Sequence, residues 1–169
     1  TWMLTAANVR HGWIDYNSAR HTSHTAYAND ISDKSRPPKG AVLVTKDGTL
    51  GRVSEVDRSD VCINQSVAVL IPNAEAIDSG FLSYLLQSPT GQERMLADSG
   101  GSSVKHIYIT KLAEMPFTLP EMHFQHERAA LARDSEHGVR EQARAVKELA
   151  ALKAHLMSDL LSGQVRVPA

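Results

Sequence analysis

At 169 residues the chain is long enough for one domain with its own core and an extended appendage. Hydrophobic residues at 42%, charged residues at 22% and a formal net charge of -1 describe an ordinary soluble protein without the cationic excess of a strong stand-alone nucleic-acid binder, although a local basic face stays open. No apolar run is long enough to span a bilayer and no basic-then-apolar leader opens the chain, so the expected location is cytoplasmic.

The chain enters "WMLTAANV" directly from Thr1, with no lead-in, so a missing N-terminal piece is expected. The long polar stretch "NVRHGWIDYNSARHTSHTAYAND" follows, in which Trp13, Tyr16 and Tyr27 read as core or scaffold residues. "AVLVT" and "RVSEV" then flank "TKDGTLG", and "SVAVLIP" comes shortly after; all three valine-rich runs suit strands of a sheet buried on at least one face. The spacing of Gly48 and Gly51 matches neither dinucleotide nor P-loop fingerprints, and most simply allows a tight chain reversal. Cys62, the only cysteine, excludes an intrachain disulfide and reads as a buried small hydrophobe. Asn64 and Gln65, between "VCI" and "SVAVLI", are expected to hydrogen-bond neighbouring loops.

In "DSGFLSYLLQ", Phe81, Leu82, Leu85 and Leu86 fall on one helical face, with Asp78 or Ser79 as cap and Pro89 as the stop. "SGGSSVKHIY" is a second glycine loop, and Pro116 and Pro120 fix an extended connector. Beyond it the grammar changes: of the ten glycines only Gly138 and Gly163 lie past Gly101, and strong helix formers dominate from Phe124 to Leu161. Val139, Val146, Leu149, Leu156 and Leu160 form a coiled-coil-like seam, interrupted by Gln142 and Lys153. A helix of roughly 35 residues is about 50 Å long, too long to be covered by so small a globular half, so its stripe asks for another helix. Gly163 ends it.

The fold class is therefore α/β of the α+β type. A globular domain over 1–120 has a twisted, mostly antiparallel sheet and short helices; one long coiled-coil-type helix follows over 121–163, then a tail over 164–169.

The ordered set "TKDGTLG", "INQSVAVLIP", "FLSYLLQSP", "GSSVKHIYITKL", "MPFTLP" and "LKAHLMSDLLSGQVRV" resembles one target-recognition domain and the following conserved helix of a type I restriction-modification specificity subunit. The resemblance runs from Leu4 to Val167. It implies a non-catalytic subunit that usually carries two recognition domains, each reading half of a split site on double-stranded DNA, held apart by two long antiparallel helices. The implied partners are methyltransferase subunits, through them restriction subunits, and a second recognition half or a second copy engaged by the long helix. Holding one repeat only, the chain looks like the C-terminal half of such a subunit or a half-length subunit that pairs with itself.

On that resemblance, the polar stretch that varies within the family is a candidate for base readout through Arg10, His11, Asn17, Arg20 and His21, since Arg and Asn read guanine and adenine edges bidentately. Lys46 and Thr49 on the glycine turn are candidates for phosphate contact in addition to its structural role. Ser102, Ser103, Lys105 and His106 are candidates on the second loop, where small hydroxyl residues beside paired glycines admit an anion. Val139, Val146, Leu149, Leu156 and Leu160 are the helix-partner interface.

The pairs His21/His24 and His123/His126 lack further ligands, so no metal site is expected. No cofactor loop, amino-methyltransferase signature or nuclease carboxylate cluster stands in the sequence, and Asp47 and Asp60 are isolated along it. No catalytic residue and no cofactor are assigned. A rival reading is a pure protein-interaction adaptor, a degenerate half-subunit acting only through its helix.

Overall fold

The computed structural model describes residues 1–97 and 106–162. Ser102, Ser103, Lys105, Gly163 and the tail over 164–169 lie outside the described residues. The chain divides into two compact units, Thr1–Ala132 and Arg133–Ala169.

The first unit holds two three-stranded sheets. In one, β1 (Trp2–Leu4) lies between β2 (Arg20–His21), antiparallel to it, and β5 (Val61–Ile63), parallel to it. In the other, β3 (Val42–Thr45) lies between β4 (Val53–Glu55) and β6 (Val67–Leu70), both antiparallel. The three valine-rich runs thus pair as expected, but the strands divide between two sheets rather than forming one. The division falls at Asn64–Ser66. Here the Asn64 Oδ1 accepts from the Ser66 backbone N–H (3.1 Å) and hydroxyl (2.6 Å), turning the chain from β5 into β6. Asn64 also donates its N–H to the Leu4 carbonyl (3.1 Å). It therefore has the supporting role expected of it, in a turn rather than inside a strand.

Two apolar clusters fill this unit. One gathers Leu4, Val9, Leu43, Val56 and Val61 between the sheets, with Trp2 and Tyr16 packed against it. The other gathers Val42, Val44, Val53 and Leu86 with Met95, Ile107 and Leu112. Burying each such aliphatic side chain is worth about 1.5–3 kcal/mol. Cys62 is fully buried, and burial pushes its thiol up. It is expected to resist a disulfide-exchange reagent such as DTNB in the native protein and to react at once in urea; fast native labelling would contradict its placement in the core.

The helices of this unit are α1 (His24–Asn29), α2 (Ser79–Gln87), α3 (Pro89–Ala97) and α4 (Ile109–Ala113), joined by the first turns of α5 (Met122–Leu161). Asp78 is the cap of α2, its carboxylate accepting from the Phe81 N–H at 2.8 Å. Pro89 stops α2, as expected, but it also opens α3, because proline at a first helical position gives up an N–H that has no partner there anyway. Gly91 lets α3 approach α2: a Cβ there would lie 2.3 Å from the Leu85 carbonyl oxygen.

From Arg133 onward α5 forms the second unit. The helix has 40 residues in all, about 60 Å at 1.5 Å per residue. Val139, Val146, Leu149, Leu152, Leu156 and Leu160 along it are all exposed. An Arg144–Glu148 ion pair at 2.9 Å, four residues apart, supports the exposed helix surface.

Candidate nucleic-acid interface

Two tight turns abut at one edge of the first unit. Val9 and Ile14 bridge, with Gly12 at φ 77° between them, which lifts Arg10 and His11 onto a short loop. The turn between β3 and β4 is closed by Gly48 and Gly51, each at φ 76°, so both glycines supply the left-handed backbone that the reversal requires. The two turns are tied by the Gly12 N–H donating to the Val53 carbonyl (2.9 Å) and by the Arg52 guanidinium donating to the Val9 carbonyl (3.4 Å).

Arg52 sits beside His11. Partial desolvation, and then the neighbouring Arg52 charge, hold the His11 imidazole below its ordinary value. At neutral pH it is therefore the neutral ring, offering one donor and one acceptor rather than a charge.

On the other side of the turn Lys46 pairs with Asp47 at 2.8 Å, and the His106 Nδ1 lies 3.0 Å from the second Asp47 oxygen. The Lys46 hydrogen bond, with help from His106, holds the Asp47 carboxyl below the usual carboxylate range. An ionised carboxylate only accepts, so Nδ1 carries the proton of this bond. The Ile107 N–H donates to the Lys46 carbonyl at 3.0 Å, fixing this segment against the turn. An open groove alongside is lined by Lys34, Lys46, Asn64, Gln65, Val67 and Ile109.

The structure thus brings Arg10, His11, Lys46, Thr49 and His106 to neighbouring turns and adds Arg52 and Lys34, which are isolated in the sequence. Arg20 and His21 form a separate group on the β2–β1–β5 sheet, with Asn17 in the turn that precedes β2. All three are exposed, Asn17 in a 3₁₀ turn and the other two on β2. His21 packs against Trp2, ring centroids 3.9 Å apart and planes tilted by 44°. Tyr16 packs against the core and Trp13 and Tyr27 are half-buried, in keeping with the scaffold role expected of all three. Of the carboxylates, Asp47 pairs with Lys46 and Asp60 with Arg58. Among the described residues no group of three or more His, Cys, Asp or Glu side chains could hold a metal ion, and no helix is long and apolar enough to cross a membrane.

Residues 7–131 match the family model described as the type I restriction modification DNA specificity domain. The chain belongs to this family. Three solved structures share the fold of this specificity domain. The HsdS subunit from Thermoanaerobacter tengcongensis aligns with a TM-score of 0.64 at 17% identity, covering 99% of this chain and 45% of that one. The S subunit of a type I restriction-modification system from M. genitalium aligns at 0.59 with 24% identity, covering 95% and 41%. A chain from a study of complex assembly and conformational transition of the type I R-M system aligns at 0.65 with 18% identity, covering 95% and 37%. The specificity domain and its helix therefore span less than half the length of each. No curated protein matches the chain significantly.

The Asp47 carboxylate tempers the positive charge of the turn. If Lys46 meets phosphate, Asp47→Asn strengthens binding of duplex DNA several-fold at low salt and steepens the salt dependence by up to about one ion. Fluorescence anisotropy across a salt series measures both, and an unchanged slope would place Lys46 away from phosphate. The same carboxylate contributes to stability in full above its unfolded titration range, and that contribution is lost as pH falls through its lowered value.

Proposed function

We propose that the chain is the DNA-reading part of a type I restriction-modification specificity subunit. Residues 1–132 read one half of a split site on double-stranded DNA, and the long helix joins a second recognition half or a second copy. The complex of methyltransferase and restriction subunits supplies the chemistry, and this chain supplies the address. The observation that carries the reading is the meeting of Arg10, His11, Lys46 and Arg52 at two abutting turns of a domain whose family is a DNA specificity domain. Two of the structural neighbours are S subunits, and the third comes from work on assembly of a type I complex. With a net charge of -1, affinity for DNA alone is expected to be weak and steeply salt-dependent, and much tighter within the complex.

The test is reconstitution with the methyltransferase subunit of the same system, followed by mapping of methylated adenines on mixed-sequence DNA. Two like, inverted half-sites would mean that the chain pairs with itself and reads DNA twice. Charge reversal at Lys46 and Lys105 is expected to lower DNA-directed methylation by about tenfold or more, the loss of two or so phosphate contacts at moderate salt. The exposed apolar stripe of α5 favours the adaptor as a second reading. In that case the same substitutions leave activity unchanged while the helix still competes for the methyltransferase.

A further inference from the structure

The sheet that carries Arg20 and His21 has a cation held beside them that the sequence did not single out. Arg58 lies in the loop entering β5. Its Nε and Nη2 donate to the two Asp60 carboxylate oxygens at 2.8 and 2.9 Å. Its guanidinium carbon lies 5.6 Å from the Trp2 ring centroid and 5.4 Å from that of Tyr16. Trp2 is itself fixed. Its backbone N–H donates to the Asp60 carbonyl at 2.9 Å, β2 and β5 flank it, and the His21 ring packs against it at a tilt of 44°. The Tyr16 hydroxyl is anchored on the Asp57 carboxylate. Arg58 is therefore a long side chain held in one plane while remaining 43% exposed.

Its chemistry is specific. Asp60 occupies the Nε/Nη2 edge and leaves the terminal Nη1/Nη2 edge, two parallel N–H donors. That fork fits either the O6/N7 edge of guanine or two oxygens of a phosphate. The surroundings decide between them. Asp57 and Asp60 flank the guanidinium and offset its charge, which weakens its pull on a phosphate but not its contact with the neutral edge of a base. A guanidinium plane fixed by the two Asp60 bonds also adds little to a phosphate contact, whereas base readout depends on it.

We propose that Arg58, buttressed by Asp60 and the Trp2–Tyr16 rings, reads a guanine in the half-site recognised by this domain. The proposal rests on the DNA-recognition reading above. Arg20 and His21, across Trp2 on the neighbouring strand, share its patch.

The experiment maps methylated sites for the reconstituted complex carrying the wild-type chain, Arg58→Ala, Arg58→Lys or Asp60→Asn. The wild-type site is expected to contain a guanine that Arg58→Ala no longer requires, with discrimination there falling about tenfold or more and every other position retained. Arg58→Lys keeps the charge but not the fork, so it relaxes the same position. Asp60→Asn relaxes it partially. Should Arg58→Ala fail to fold by circular dichroism, the lysine and asparagine variants decide. An unchanged site in all three overturns the proposal. So does a uniform loss of affinity for all sequences in Arg58→Ala with a salt slope smaller by about one, the mark of a phosphate contact. If the wild-type complex methylates without sequence preference, DNA recognition by this domain fails first and the Arg58 inference falls with it.

Discussion

Replacing Gln125 by leucine is expected to lower the urea unfolding midpoint of the first unit sharply, by about 3 kcal/mol in stability. Gln125 is only 1% exposed, yet it is polar and lies on the first turns of α5. Its amide closes three hydrogen bonds with loops distant in sequence or at the helix start. The Oε1 accepts from the Asp78 N–H at 3.0 Å, and the Nε2 donates to the Pro120 carbonyl at 2.8 Å and the Ala76 carbonyl at 3.3 Å. Leucine is close in volume but makes none of these three bonds, at about 1–3 kcal/mol for each backbone group that stays screened from water, before any apolar gain. Asp78, whose N–H is released, is also the residue whose carboxylate caps α2, so the loss spreads to that helix. Gln125→Glu keeps the shape and separates the causes. It retains the acceptor for Asp78 but points an oxygen at two carbonyls, so it should be at least as damaging at neutral pH. Glu127→Ala, two residues along and exposed, should be nearly neutral. A leucine variant with the wild-type midpoint would show that these bonds contribute no net stability.

Gln125 also marks where sequence reasoning stops. Period and composition sufficed for the valine strands, for α2 with its Asp78 cap and for the long helix, because each is specified by residues close together in the chain. A polar residue near the start of an amphipathic helix carries no such mark; only the fold shows that it is enclosed. The same holds for Arg52 and Arg58. Each is a single cation in a loop until β4 is laid beside the turn at Gly12, or Asp60 is bonded to Trp2. Parallel pairing of β1 with β5, nearly sixty residues apart, has no local signature at all. The division into two sheets depends on how one asparagine turns the chain at Ser66. Pro89 was legible as a stop but not as a start, since proline suits both a helix end and a first helical position.

Two aspartates on the helix stripe, Leu149→Asp with Leu156→Asp, are expected to abolish assembly while leaving the first unit folded. The seam residues recur every three, four or seven positions and all are exposed, with Leu149 at 65% and Leu156 at 53%. An apolar face of this kind has no partner within its own helix, and each leucine covered by another helix contributes about 1.5–3 kcal/mol. Losing two of them, and burying charge in their place, weakens association by two orders of magnitude or more. Because neither residue packs into the core, urea unfolding of the globular part should not move. Light scattering after size exclusion then reads the effect in the chain alone, and co-purification reads it with the methyltransferase subunit. Lys153, at a seam position between them, gives the opposite handle. Lys153→Leu completes the apolar row, so it should tighten a pairing that brings this position against its counterpart. If it has no effect while the double aspartate variant still disrupts, the partner helix places a carboxylate or solvent opposite Lys153. That outcome favours an antiparallel or hetero-partnered arrangement over a parallel symmetric pair. If neither variant changes assembly, the stripe is not the interface, and the second half-site must be read by a copy joined through some other surface.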